Sequence, residues 1–199
     1  MSVSDTFLDE RAARGTSSPI LGMVVFVASE AMFFAALFGA YFTIFAKTAV
    51  WPPADIPIPD VPIPIALTVI LVSSSFVLQA GVRAARRGNT KALSRRLLFT
   101  VGLGLAFLAL QGYDYSQLTF GIHSGVYGSL FYVMTGLHMA HVIGGVVFLS
   151  IVLIQSWTGQ LSLRRHEPVE AAAIYWHFVD VVWIGLFSVF YLVTQLPLR

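Results

Sequence analysis

The sequence predicts an all-α, polytopic membrane protein of five transmembrane helices, with its N-terminus cytoplasmic and its C-terminus external. Three observations predict it. The 199 residues are 57% hydrophobic and only 11% charged, with a mean hydropathy of +0.78. Soluble domains carry about 25% charged residues, and so few charges could not cover a globule of this size. Apolar runs long enough to cross a bilayer occur five times, and Lys and Arg gather in alternate connections between them. The net charge of +2 resides in those clusters, so no nucleic-acid partner is expected. Cysteine is absent, which excludes disulfides, thiolate metal sites and redox thiols.

Two regions are expected, a cytoplasmic tail over residues 1–18 and a five-helix membrane domain over 19–199. The tail is polar and mixed in charge, with Asp5, Asp9, Glu10, Arg11 and Arg14. It lacks the apolar stretch of a cleaved signal peptide. A spanning helix needs about 20 mostly apolar residues to cross about 30 Å of hydrocarbon. The first such run extends from Pro19 to Ala46, interrupted only by Glu30. The second covers Pro64 to Val82 and the third Leu97 to Tyr113. The fourth, Val126 to Trp157, holds no Asp, Glu, Lys or Arg. The fifth, Ala171 to Leu196, holds one acid, Asp180.

Basic residues set the expected orientation, because Lys and Arg concentrate in cytoplasmic loops. Arg11 and Arg14 lie in the tail; Arg83, Arg86, Arg87, Lys91, Arg95 and Arg96 in the second connection; Arg164 and Arg165 in the fourth. These are ten of the twelve, and only Lys47 and Arg199 fall on the other side. The first external connection, Trp51 to Pro64, holds six of the nine prolines. Proline removes backbone donors and favours extended chain, so this loop reads as a stiff arch. It either connects helices or docks a partner subunit. No internal repeat pairs the halves of the chain, which argues against a transporter built on inverted repeats.

Ionisable groups at bilayer depth require a partner or a function. Glu30 lies about eleven residues into the first span, about 16 Å at 1.5 Å per residue. It reads as a buried acid, hydrogen-bonded in the bundle or to a neighbouring subunit, with proton relay as the alternative. His138 and His141, three residues apart, share a face of the fourth span with Gly145, and Gly136, Ala140 and Gly144 form a separate small-residue ridge suited to close helix approach, so both faces read as protein-facing. His177 and Asp180 stand one turn apart on the fifth span and can bond side chain to side chain. Trp176, Trp183, Phe187 and Phe190 form an aromatic stripe that reads as packing. His123 and His166 fall in loops. The histidines show no haem-ligand spacing and no accompanying carboxylate or cysteine cluster, so no metal site is expected in this chain.

Several stretches resemble subunit III of the cytochrome c and quinol oxidases, over nearly the whole chain after the tail. Ala28-Ser-Glu-Ala-Met-Phe-Phe34 is similar to the family's Ser-Glu-x-x-Phe-Phe signature, and Ser73-Ser-Ser75 to a run in its next span. Gln111-Gly-Tyr-Asp-Tyr115 resembles an element that usually has Glu before its Tyr. Two longer motifs, Gly125 to Gly145 and Tyr175-Trp-His-Phe-Val-Asp-Val-Val-Trp183, are the most specific. Met139 stands where the family usually has Gly, and His123 where an acidic external loop is common.

The resemblance implies the five-span bacterial form, without the two extra N-terminal helices of longer members, in the bacterial cytoplasmic membrane. It implies a subunit that is not itself catalytic, packed beside subunit I and assembled with subunit II. Haem and copper would belong to the catalytic subunit, with bound phospholipid as this chain's own ligand. It implies that the chain stabilises the catalytic subunit and sustains its proton uptake. Glu30 would be the buried acid near a lipid cleft, and His138, His141, His177 and Asp180 the intramembrane polar positions. Arg83, Arg87, Arg95 and Arg96 would meet lipid head groups, since guanidinium suits phosphate. The Glu of Ser29-Glu30 points to the cytochrome c-dependent branch rather than the quinol oxidases. The alternatives are an accessory protein of nitric oxide reduction with the same motifs, an independent transporter or channel, and a haem-binding anchor.

Overall fold

The computed structural model describes residues 18–53, 56–57, 60–161 and 166–195. The tail arginines Arg11 and Arg14, together with Arg164, Arg165 and Arg199, lie outside the described residues. Five helices carry the fold: α1 Ser18–Lys47, α2 Pro62–Arg86, α3 Thr90–Gln117, α4 Gly125–Trp157 and α5 Glu167–Phe187. All five are long and apolar enough to cross a membrane, and no strand occurs among the described residues.

The helices outrun the apolar segments that announce them. α3 begins at Thr90, seven residues before its apolar run, because Asn89 caps it: the side chain accepts from the Ala92 amide at 3.0 Å. Such a cap satisfies an amide that the first turn leaves free. α2 starts at Pro62, where a missing N–H costs nothing. α5 starts at Glu167, with Pro168 in its first turn and acids at 167 and 170 facing the positive end of the helix dipole. Hydropathy marks the hydrocarbon core, not the caps beyond it. At its other end the fifth span continues to Gln195, but its helical pitch changes. After Phe187 the chain widens into a π-helical turn, Ser188–Leu192, and then tightens into a 3-10 turn, Val193–Gln195.

Helices α2, α3, α4 and α5 form a closed ring, each packing on the next and α5 returning to α2. α1 stands outside it, against α5 and, more lightly, α4. Only 6% of the most apolar window of α1 is buried in the chain, against 56% for the fifth span. α5 is therefore the axis of the fold and α1 its flank.

The aromatic stripe of α5 fills the ring. Trp176 and Trp183 are both buried, and each indole N–H crosses to α2, Trp176 to the Ser74 hydroxyl at 2.8 Å and Trp183 to Thr68 at 3.0 Å. The Trp176 ring lies between two glycines. A Cβ on Gly104 of α3 would come within 2.9 Å of it, and one on Gly145 of α4 within 2.7 Å. Close approach on α4 thus falls chiefly at Gly145, on the face shared with His138, and on the ridge at Gly144, where a Cβ would stand 3.2 Å from the Tyr175 hydroxyl. Ala140 and Gly144 are exposed, and a Cβ on Gly136 would meet nothing within 4 Å. The ridge otherwise lies outside the buried stripe of α4, which runs through Phe131, Met134, His138, Val142 and Gly145.

A second aromatic cluster closes the proline-rich end. Trp51 donates to the Tyr41 hydroxyl at 3.0 Å, and Tyr41 donates to the Val189 carbonyl at 2.9 Å within the widened turn of the fifth span. Pro52 and Ile56 are buried beside them. The described part of the proline arch folds back onto its own bundle, as a connector does.

Candidate functional site

Glu30 and His141 meet across α1 and α4. The Glu30 carboxylate oxygen Oε2 lies 3.0 Å from His141 Nε2, while His141 Nδ1 lies 2.7 Å from the Leu137 carbonyl. A carbonyl only accepts, so Nδ1 carries a hydrogen and the bond between Nε2 and Oε2 needs one shared proton. The pair is then either acid with imidazole or carboxylate with imidazolium. Both are neutral in sum, which is what bilayer depth tolerates. Tyr175 of α5 donates to the His141 carbonyl at 3.0 Å, and Phe34 lies edge-on to the imidazole with centroids 5.1 Å apart. Three helices converge on this histidine.

This tie is the polar link holding α1 near mid-span. Glu30→Leu removes the partner of Nε2 and is expected to lower stability by about 1 kcal/mol, the scale of an interhelical hydrogen bond in a membrane. Glu30→Gln, which can still bond, is expected to stay close to the parent. Thermal melting of the purified protein separates them, and equal melting of Glu30→Leu and the parent would contradict a stabilising tie.

Asp180 faces α2. Ser75 donates to its Oδ2, and His177 Nδ1 stands 3.5 Å from the same oxygen. The expected His177–Asp180 contact is thus present but long, and the nearer partner is the serine across the interface. His177 Nε2 lies 3.4 Å from the Gln79 amide oxygen, also on α2. Two of the three serines at 73–75 serve α5, since Ser74 receives the Trp176 indole and Ser75 donates to Asp180.

His138 and His141 part company. His141 faces α1, whereas His138 is fully buried in the ring, stacked on Trp183 at 5.3 Å and edge-on to Phe107 at 5.9 Å. Three residues on a helix leave about 60° between side chains at 3.6 residues per turn, enough to send them to different neighbours.

One buried acid escaped the sequence reading. Asp114 is 5% exposed and accepts at Oδ2 from Gln111 at 3.2 Å and from the Tyr191 hydroxyl at 3.3 Å. Beside it, the Tyr115 and Thr135 hydroxyls bond at 2.7 Å, joining α3 to α4. Asp114 sits one residue past the end of the apolar run, where hydropathy alone does not mark it as an acid at membrane depth. The available signal was its place inside the Gln111-to-Tyr115 motif.

Arg83, Arg87 and Arg95 are exposed at the arginine-rich end. Arg96 is half-buried and donates to the Ala80 carbonyl at 2.5 Å, so part of its guanidinium is engaged within the chain. Arg86 pairs with Glu170 at 2.9 Å, joining α2 to α5. Among the described residues, no three His, Cys, Asp or Glu side chains converge as a metal-ligand set. The carboxylates instead act separately, Glu30 tying α1 to α4, Asp180 tying α5 to α2, and Asp114 tying α3 to the end of the fifth span.

The sequence model of the family described as cytochrome c oxidase subunit III matches residues 2–195. The cytochrome c oxidase subunit 3 of Pylaiella littoralis is 42% identical over 177 residues, which are 86% of this chain and 65% of that protein. A probable cytochrome c oxidase subunit 3 of Nocardia farcinica is 39% identical, covering 87% of each chain. The cytochrome c oxidase subunit 3 of Thermostichus vulcanus is 37% identical over 88% of each. The chain thus spans about 65% of the length of the Pylaiella relative and nearly all of the other two.

Proposed function

The chain belongs to the cytochrome c oxidase subunit III family, and from that premise we propose that it is the non-catalytic subunit III of a proton-pumping haem–copper terminal oxidase fed by cytochrome c. Its partners are subunits I and II, and the haem and copper belong to the catalytic subunit. It lies in a bacterial cytoplasmic membrane with the N-terminus inside. The basic residues around Arg83 to Arg96 support that orientation.

What carries the reading is how the intramembrane polar side chains are employed. The half-buried Glu30 and the buried Asp180 and Asp114 each join one helical segment to another rather than converging on a common centre. This is the construction of a rigid scaffold. Phospholipid is the ligand such a scaffold takes. A groove of about 430 Å³ between α1 and α5, lined by Phe34, Phe38, Val182 and Gly185 among others, has the apolar character of an acyl-chain site. The exposed Arg83, Arg87 and Arg95 suit phosphate head groups, with Arg96 contributing what its bond to Ala80 leaves free. Glu30 lines neither feature as a ligand, but holds α1 in place beside the groove.

The subunit then acts by steadying the catalytic subunit and keeping its proton uptake fast. Oxidase stripped of this chain is expected to start at near its normal rate and to lose activity over successive turnovers. Oxygen consumption followed to inactivation checks this, with the stripped enzyme reconstituted with the chain as the control. Equal lifetimes with and without the chain would overturn the proposal.

A further inference from the structure

Two fully buried side chains are left incompletely bonded by the helix-to-helix ties. Neither ring nitrogen of His138 has a hydrogen-bond partner among the described residues, and neither does Oε1 of Gln111, whose Nε2 is bonded to Asp114. An imidazole presents a donor and an acceptor, and an amide oxygen presents two lone pairs. Leaving such groups dry at membrane depth is costly.

These groups lie at one level of adjacent helices. α3 and α4 run antiparallel, and two contacts fix their register: a Cβ on Gly104 would stand 2.8 Å from Val146, and the Tyr115 and Thr135 hydroxyls bond at 2.7 Å. Going from the second contact towards the first, Gln111 is four residues from Tyr115 and His138 is three from Thr135. At 1.5 Å per residue these are displacements of about 6 Å and about 4.5 Å in the same direction. Both residues lie on inward stripes of the ring. Phe107, one turn from Gln111, meets the His138 ring edge-on.

We propose that Gln111 and His138 hold a single buried water molecule between α3 and α4. The water donates one hydrogen to Gln111 Oε1 and bonds through its oxygen or its other hydrogen to a ring nitrogen of His138. Buried waters persist where two or more otherwise unpaired polar groups converge, and an imidazole fixed against Trp183 at 5.3 Å is a rigid partner. The source is close at hand. Asp114, bonded to Gln111, lines a cavity of about 450 Å³ with Asp60, Tyr113 and Gln117 at the proline-rich end.

Electron cryomicroscopy of the intact complex, at a resolution that shows ordered water, tests the site directly. The expected result is a peak about 2.6–3.2 Å from both Gln111 Oε1 and a His138 ring nitrogen. No peak there, or a direct bond between the two side chains, would overturn the proposal. A thermal double-mutant cycle in the same complex gives a second reading. Gln111→Leu and His138→Phe each remove one anchor of the same water, so the double variant is expected to lose less than the sum of the two single losses. Additive losses would count against a shared water.

Discussion

Trp176→Ala is expected to be the most damaging single truncation in this chain, at about 3–5 kcal/mol. The indole is fully buried where α2, α3, α4 and α5 meet. Lipid is as apolar as the ring interior, so the loss is not one of hydrophobic transfer. What disappears is dispersion contact with the flanking Gly104 and Gly145 backbones, and what is left is a cavity that two glycines cannot fill. The Ser74 hydroxyl also loses its donor, although it keeps its own bond to the Leu71 carbonyl at 2.6 Å. Trp176→Phe retains most of the volume and is expected to cost roughly a third as much, about 1 kcal/mol for the lost hydrogen bond. Thermal melting of the purified protein, monitored by size-exclusion fluorescence, orders the variants. Equal melting of the two would show that packing is not what Trp176 supplies.

Gly145→Val is expected to be nearly as harmful from the opposite cause. Its Cβ would stand 2.7 and 2.8 Å from two carbons of the Trp176 ring and 3.2 Å from Tyr175. The indole cannot retreat, because Gly104 holds its other side. Overpacking of this kind costs about 1–3 kcal/mol and sometimes more, enough to keep the ring from closing. Two comparisons isolate the mechanism. Gly102→Val, on an exposed face of α3 where a Cβ would meet nothing within 4 Å, is expected to be tolerated. Combining Gly145→Val with Trp176→Ala is expected to recover part of the loss of either, since the new methyls enter the space the indole leaves. The yield of folded protein from membranes reads both, and a double variant as poor as the sum of the singles would contradict the clash.

The number and type of elements were legible because apolar length alone identifies a spanning helix. Their ends were not, because caps such as Asn89 lie outside the apolar run and Pro62 can begin a helix as well as interrupt one. The intramembrane residues were legible one by one, Glu30, His141 and Asp180 each standing out against hydrocarbon. Their partners were harder. His141 is 111 residues from Glu30 and Ser75 is 105 from Asp180, and nothing local pairs such positions. Where spacing did offer a pairing, it overstated it. His138 and His141 look like one site on a helical wheel, yet the ring divides them between its interior and α1. Of the two α4 faces that read as protein-facing, the one carrying His138 and Gly145 receives the tryptophan from α5, whereas the small-residue ridge approaches α5 at Gly144, beside the Tyr175 hydroxyl.

The central claim is that this chain works as a supporting subunit of a haem–copper oxidase, and the most direct test is its company in the membrane. The measurement is purification of the tagged chain from its native membrane in mild detergent, followed by a reduced-minus-oxidised absorption spectrum. The account predicts oxidase haem bands in the purified complex, and none in the chain once it is separated from its partners. A chain that purifies alone and colourless from intact membranes would contradict the account.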